Sequence, residues 1–170
     1  MKRMNLLIIG LITGTFLYAQ QGLTVPQLTQ DQKQEVLFQH VMAYATTGIS
    51  FGKTQGVSPE EYGRFIGKSF TGAWDPSAGY QMFAGQLMYI LAGMYPDNQM
   101  EILEQDDKMI RFRMKNVDIF FRNGPVFGVT FEELLQCSKG IISELGDYMG
   151  VEFSHKWVDN TWYEVTFKAR

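Results

Sequence analysis

The sequence has one cysteine, Cys137, and two histidines among its 170 residues. A single cysteine cannot form a disulfide within the chain, so the stability of the fold must come from packing. The sequence also lacks a phosphate-binding glycine loop, an H-E-x-x-H motif and a G-x-S-x-G motif. These absences remove the usual sequence signatures of P-loop nucleotide-binding proteins, zinc proteases and serine hydrolases. No motif implies a cofactor.

Clusters of basic residues are also missing. The chain has 15 Lys and Arg against 18 Asp and Glu, for a net charge of −3. Nucleic-acid binding is not expected, because contacts with phosphates dominate that affinity and require concentrated positive charge. The 45% of hydrophobic residues and 14% of aromatic residues fit one globular domain with a sizeable core.

The N-terminus has the layout of a secretory signal peptide. Lys2 and Arg3 precede an uncharged, apolar run at positions 6–18, and the small residue Ala19 precedes Gln20. We expect a periplasmic or secreted protein that begins at Gln20, with 13 basic residues left against the same 18 acidic ones. The alternative is an uncleaved membrane anchor. After cleavage no stable membrane span is expected.

Helix start and stop signals predict three helices in the first half of the chain. Thr29 can cap a first helix that ends before Gly56. The sequence SPEE, from Ser58, predicts a capping box for the second, and Asp75–Pro76 opens a third that stops at Pro96. Apolar residues recur at helical spacing on the first helix (Leu37, Val41, Tyr44) and on the second (Tyr62, Phe65, Ile66, Phe70).

Alternating residues predict strands in the second half. Two strands flank the turn QDDK, and the second alternates apolar with basic residues, so Phe112 marks its dry face. Thr130 and Glu133 predict a capped fourth helix, and a hairpin around Asp159–Asn160 closes the chain. The predicted fold is α+β: three N-terminal helices, two strands, a helix and a C-terminal β-hairpin, with helices packed on an antiparallel sheet. After the signal peptide at 1–19, residues 20–57 form the N-terminal helix and 58–170 the α+β core.

The third helix has no charged residue between Asp75 and Asp97 and is apolar on every side. Such a helix is normally buried on every side. It is therefore a central core helix, or its second face meets a partner subunit or a bound apolar ligand. The sequence predicts a homodimer in which this helix meets its copy through the side that carries Tyr89 and Ile90.

Cys137 and His155 are the candidates for chemistry. Cys137 lies on the apolar stripe of the fourth helix, and His155 shares a strand face with Phe153 and Trp157. The two can be nucleophile and base, metal ligands, or core residues. The local sequence supplies no third orienting group, and a lone cysteine usually acts as a small hydrophobe, so core filling is favoured. The other members of the apolar stripe are Leu134, Ile141, Leu145 and Tyr148.

Three segments in the second half resemble a known family. The segment MEILEQDDKMIRFRMKN, then a helix with CSKG, then GVEFSHKWVDNTWYEVTF, is similar to the 4-vinyl-reductase-type small-molecule-binding domain. Its relatives include haem-nitric-oxide-binding proteins, the transport-particle subunits of the Golgi and the aminothiazoline-carboxylate hydrolase-like family. The resemblance spans roughly 58–167. It implies an α+β fold that encloses an apolar pocket, often in a dimer.

The resemblance carries over to few individual residues. Cys137, followed by Gly140, matches the helix cysteine of the vinyl-reductase-type domains. Those domains have two more cysteines in the closing hairpin, where this chain has Trp157 and either Trp162 or Tyr163, so no metal site is expected. His155 lies on a strand and does not match a haem-ligand histidine. The hydrolase-like relatives use a cysteine, which keeps Cys137 a candidate nucleophile.

The sequence therefore predicts a protein that binds a small apolar or amphipathic molecule without catalysis. One alternative is a cysteine-dependent hydrolase with Cys137 as nucleophile and His155 as base. A second is a structural dimer without a ligand. The predicted ligand-binding residues are Tyr80, Phe83, Leu87, Met88, Phe112, Cys137, Ile141, Phe153 and Trp157.

Export gives the first testable prediction. If the N-terminal segment is a cleaved signal peptide, sequencing the N-terminus of the exported protein will give a chain that begins at or near Gln20. Recovery of the protein in a membrane fraction with Met1 still present would instead identify the segment as an anchor.

Overall fold

A computed structural model of the protein describes residues 26–95, 99–158 and 161–170. The predicted signal peptide, the cut before Gln20, the stop at Pro96 and the turn Asp159–Asn160 lie outside the described residues. The described part contains four α-helices and four strands in the predicted order, which confirms the α+β class. The elements are α1 (Gln30–Thr54), α2 (Pro59–Phe70), α3 (Gly79–Met94), β1 (Met100–Gln105), β2 (Met109–Met114), α4 (Phe131–Met149), β3 (Val151–Val158) and β4 (Trp162–Ala169).

Both predicted capping boxes are present. The backbone N–H of Glu61 donates to Ser58 Oγ at 3.3 Å, and the Glu61 carboxylate accepts from Ser58 N at 3.0 Å. The same exchange joins Thr130 and Glu133 at 3.2 and 2.8 Å. Gly150 ends α4 in the left-handed conformation, with φ of 68°. The predicted Thr29 cap of α1 is also present, since the backbone N–H of Gln32 donates to Thr29 Oγ1 at 3.2 Å, and Gly56 just past α1 has φ of 76°. Three helix starts and two helix ends are thus fixed by local sequence.

The start of α3 differs from the prediction. Asp75–Pro76 opens only a 3₁₀ turn at Pro76–Ala78, and the α-helix begins at Gly79. The Asp75 carboxylate accepts from the backbone N–H and the hydroxyl of Ser77 at 2.9 and 2.7 Å, which closes a local turn that competes with the helix. Gly79 then adopts φ of 75°, a conformation that glycine tolerates and that separates the turn from α3.

The sheet is antiparallel throughout, with strand order β1-β2-β4-β3. Phe112 of β2 pairs with Val165 of β4, and Phe167 of β4 pairs with Phe153 of β3. These residues share the face that the helices cover. The basic residues of β2 alternate with the buried ones, as predicted, and lie on the other face. β1 is an edge strand, and its pairing is interrupted by a bulge between Ile102 and Glu104.

Helices α2 and α4 touch at their backbones through glycines. A Cβ atom added at Gly63 would overlap the carbonyl oxygen of Cys137, and one added at Gly140 would overlap that of Glu60. A Cβ atom added at Gly67 would lie 2.7 Å from the carbonyl oxygen of Ile141. The glycines therefore form the packing face of α2. The predicted apolar stripe of α2 is half right, since Tyr62 and Ile66 are partly buried against the helical cluster, whereas Phe65 and Phe70 are exposed.

The inward face of α1 is offset by one residue from the predicted stripe. Phe38, Met42 and Ile49 are buried, whereas Leu37 and the rest of the predicted stripe are exposed. The helix carries two neighbouring apolar stripes, so the spacing alone does not decide which one is buried. The exposed members of the predicted stripe are Leu37, Val41 and Tyr44.

The core consists of two clusters of buried side chains. The sheet cluster lies between α3, α4 and the sheet, and the helical cluster lies between α1, α4 and the segment that precedes α4. On α4, the predicted stripe is confirmed at Leu134 and Leu145, but Met149 is buried in place of Tyr148 because it lies four residues after Leu145. The helical cluster is Phe38, Met42, Ile49, Phe121, Val129, Leu134 and Cys137. The sheet cluster includes Tyr80, Phe83, Leu87, Ile110, Phe112, Met114, Val165 and Phe167.

The glycine contact gives a prediction for stability. Gly63→Ala should lower the free energy of unfolding by about 2–4 kcal/mol, because the new methyl group forces two backbones apart. Gly85→Ala on α3 is the matched control, since a Cβ atom at Gly85 has no atom of the described residues within 4 Å. It should leave stability unchanged or raise it by up to about 1 kcal/mol. Urea unfolding measures both, and equal midpoints for the two variants would contradict the close contact.

Candidate ligand-binding groove

The structure distributes the predicted ligand-binding residues between the two clusters. Phe83 packs on Phe167 with ring centroids 5.6 Å apart, and Phe112 packs on the same ring at 6.1 Å. These side chains fill the space against one another. Four predicted residues (Tyr80, Phe83, Leu87, Phe112) are buried in the sheet cluster, three (Met88, Ile141, Phe153) pack against it, Cys137 belongs to the helical cluster and Trp157 is partly exposed.

A surface groove of about 200 Å³ runs between α3 and the edge of the sheet. Tyr80 and Met88 are the two predicted residues that line it. The sequence does not single out the β1 and β2 side of the groove, although the absence of charge on α3 points to an apolar partner for its second face. The groove is lined by Tyr80, Gln81, Ala84, Gly85 and Met88 from α3, Ile102 and Gln105 from β1, and Ile110 from β2.

Two local features open the groove. Ile102 pairs with Phe112 and therefore projects from the face that the helices cover, yet it is exposed because β1 is at the edge of the sheet. The bulge that follows Ile102 bends the strand. At the other end, the hydroxyl of Tyr80 donates to the carbonyl oxygen of Asp106 in the β1–β2 turn. The Asp106 carboxylate accepts from the backbone N–H groups of Lys108 and Met109 at 2.7 and 2.8 Å, which fixes the turn against which α3 begins.

The chemistry of the groove suits binding. Ala84, Met88 and Ile110 give it an apolar floor, and the amides of Gln81 and Gln105 offer donors and acceptors. The lining residues include no carboxylate, imidazole or thiol. A molecule in the groove would therefore meet apolar surface and neutral amides, and the Tyr80 hydroxyl at its end already donates to the carbonyl oxygen of Asp106.

A second cleft, of about 370 Å³, lies on the opposite, charged face of the sheet. Its charges are already paired. Arg111 lies 3.2 Å from Glu104 and 3.8 Å from Glu164, and Lys156 lies 3.2 Å from Glu164. A charged ligand would have to displace these ion pairs, so this cleft is the weaker candidate. The cleft is also lined by Met109, Ser154, His155 and Thr166, so the candidate base His155 borders it.

Cys137 is buried in the helical cluster, under the contact between α2 and α4. Burial raises the pKa of its thiol to about 11, since an apolar environment penalises the thiolate. The thiolate is the reactive form of cysteine, and at neutral pH this residue is almost entirely the thiol. These observations weigh against Cys137 as a nucleophile.

His155 lies among different neighbours. Its ring stacks on Phe153 at 5.3 Å and contacts Tyr163 at 5.4 Å, which places it beside the sheet cluster. Burial and the positive charge of Lys139 lower its pKa, and Glu132 opposes this shift. The lowered pKa favours the neutral imidazole at pH 7. The ring contacts of His155 belong to the sheet cluster, whereas Cys137 belongs to the helical cluster, and no hydrogen bond between these two described residues orients them as a catalytic pair.

Two further properties concern only the described residues. Within 26–95, 99–158 and 161–170, no three His, Cys, Asp or Glu side chains are grouped so that they could hold a metal ion. None of the helices in this part of the chain is both long and apolar enough to cross a membrane.

Comparison with known proteins gives no match. No protein-family model matches the chain, and neither a curated protein nor a solved structure does. The resemblance to 4-vinyl-reductase-type domains therefore stays a prediction from the quoted segments.

The environment of Cys137 gives a prediction for its reactivity. In the folded protein the thiol should react slowly with iodoacetamide at pH 7, and the rate should rise as the pH approaches 11, because only the thiolate reacts. Cys137→Ser should cost about 1–3 kcal/mol of stability by burying a hydroxyl among apolar side chains. Fast labelling of the folded protein at neutral pH would contradict this description and favour a hydrolase.

Proposed function

We propose that the protein is an exported, non-catalytic binding protein that takes a small amphipathic molecule in the groove between α3 and β1. The observation that carries this proposal is the groove itself. An uncharged helix lies opposite the exposed side chain of Ile102 at the edge of the sheet, and two amides flank the apolar floor. Apolar clefts with a few convergent polar groups are the usual form of small-molecule sites.

The size of the groove indicates how the ligand binds. Sites for drug-sized ligands usually enclose about 300–1,000 Å³. A groove of about 200 Å³ holds only the apolar part of such a molecule. Tyr89 and Met82 continue the exposed apolar surface of α3 beyond the groove. Gln81 and Gln105 favour a neutral polar end, such as a hydroxyl or an amide, because their side chains both donate and accept hydrogen bonds without charge.

Two alternative functions, a hydrolase and a structural dimer, differ from this proposal in what they require. A hydrolase would need Cys137 as a thiolate, and burial of the thiol opposes that state. A structural dimer without a ligand would need no groove. Export to the periplasm or to the medium is part of the proposal and is supported by the signal-like N-terminus. The family resemblance supports the apolar site by analogy alone.

The groove can be filled by a single substitution. Gly85 lines the groove, and a Cβ atom at this position has no atom of the described residues within 4 Å. Gly85→Leu should therefore occupy the ligand's space without straining α3, and leucine favours the helix by about 0.8 kcal/mol relative to glycine. We expect the affinity for Nile red, a neutral apolar dye, to fall by about tenfold or more. Fluorescence titration measures the affinity.

Gly93→Leu is the matched control. Gly93 also lies on α3, and a Cβ atom there has no atom of the described residues within 4 Å, but Gly93 is not among the residues that line the groove. This variant should bind Nile red as the unmodified protein does. Equal affinities for all three proteins would refute binding in the groove. Mass spectrometry of organic extracts from the purified protein would identify a ligand retained from the producing cell.

A further inference from the structure

The outer face of α1 carries a row of exposed large apolar side chains, longer than the pair Phe65 and Phe70 that α2 exposes. Leu37 is 64% exposed, Tyr44 76% and Phe51 66%, and Val41 lies between the first two. These four residues, here called the α1 stripe, lie on the solvent-facing side of α1, beside the face that is buried. A surface helix of a monomer normally presents charged or polar residues on that side.

The spacing of the α1 stripe indicates a helical partner. Its members follow one another at intervals of four, three and seven residues, which is the spacing of a coiled-coil seam. The surface around the α1 stripe also lacks these charged residues, because α1 contains no Asp, Glu, Lys or Arg between Glu35 and Lys53. Charged residues are depleted at the centres of protein interfaces.

We propose that the α1 stripe is the surface through which a second copy of this chain docks, with the two α1 helices antiparallel about a two-fold axis near Tyr44. Leu37 precedes Tyr44 by seven residues and Phe51 follows it by seven. An antiparallel copy would place Leu37 of each chain against Phe51 of the other and bring the two Tyr44 side chains together. Leu37 and Phe51 are placed symmetrically about Tyr44, and Val41 would face Thr47 of the other copy, so the surface pairs with itself as a two-fold interface requires.

The α1 stripe supplies a large share of the surface that a dimer interface needs. Large apolar and aromatic side chains offer about 150–250 Å² each when fully exposed, so the stripe contributes on the order of 450 Å² at its observed exposures. A stable interface takes about 800 Å² from each partner. The stripe therefore supplies about half of this area, and the small, uncharged residues beside it add surface and let a second helix approach closely. They are Ala43, Thr47, Ser50 and Thr54.

Other occupants fit the α1 stripe less well. Helices that lie on a membrane surface usually carry Lys or Arg on their polar face, and α1 has neither between Glu35 and Lys53. The sequence predicts a homodimer through α3, whose outer face also exposes Tyr89. The outer face of α3 is shorter than that of α1, and part of it borders the groove. The α1 stripe therefore accounts better for a dimer that leaves the groove accessible.

Two tyrosines with the same exposure make a matched pair for the test. Tyr44 and Tyr89 are each 76% exposed. In sedimentation equilibrium at micromolar concentration the unmodified protein should be a dimer. Tyr44→Glu should raise the dimer dissociation constant by about 100-fold or more, because a charge would be buried at the two-fold axis. Tyr89→Glu should leave it unchanged.

Cross-linking tests the geometry independently of stability. The native thiol is buried, so a cysteine introduced on α1 is the accessible thiol. Tyr44→Cys should give a covalent dimer on mild oxidation, since two copies of this position meet at the axis. Leu37→Cys alone should not, because each Leu37 faces Phe51 of the other copy. Efficient cross-linking by both variants would overturn the antiparallel arrangement.

Several outcomes would overturn the proposal. A monomeric unmodified protein refutes it, as does a dimer that Tyr89→Glu dissociates and Tyr44→Glu does not. Binding of a monomer to phosphatidylglycerol vesicles, lost in Tyr44→Glu, would assign the α1 stripe to a membrane surface. Nile red binding reports the groove separately, so failure of the dimer and failure of the proposed function are distinguishable.

Discussion

The backbone contact between α2 and α4 is the constraint on which the rest of the fold depends. Because Gly63 and Gly140 bring the two helices into contact, the Cys137 segment lies directly beneath α2 and is closed off from solvent. Helix α4 then leads through Gly150 into β3, so its position also sets that of the sheet. On the other side of α2, the ring of Tyr62 lies against Gly48 and Gly52 of α1. The contact of α2 with α4, together with that of Tyr62 with α1, thus fixes the positions of three helices and one strand.

Local sequence signals account well for where elements begin and for which face of a strand is dry. Ser58 and Thr130 form their capping boxes because the partners are three residues away and need no tertiary contact. The alternation through Phe112 predicts the buried face of β2 for the same reason. Hydrophobic size is a poor guide where glycines make the contact. Gly63 and Gly67 carry no hydrophobic signal, so the packing face of α2 is not evident from the sequence.

The groove could be predicted only in part. An uncharged α3 points to Tyr80 and Met88, since a helix without charge must meet something apolar on each side. The wall of the groove that β1 and β2 form depends on tertiary structure. Ile102 contributes because a bulge interrupts an edge strand, and Gln105 because the hydrogen bond from Tyr80 fixes α3 against the β1–β2 turn. Neither relation is encoded in the spacing of residues along one element.

The bulge in β1 has a consequence for how this chain can aggregate. An edge strand with regular, unpaired backbone groups is a template for strands of other molecules, and growth by that route has no natural end. Here the irregular register between Ile102 and Glu104 interrupts the regular row of backbone groups with which another strand could pair. Glu101 and Glu104, held by ion pairs to Arg113 and Arg111, place charge along the same edge. This edge is therefore a poor template for strand addition, and growth by repeated strand pairing is disfavoured.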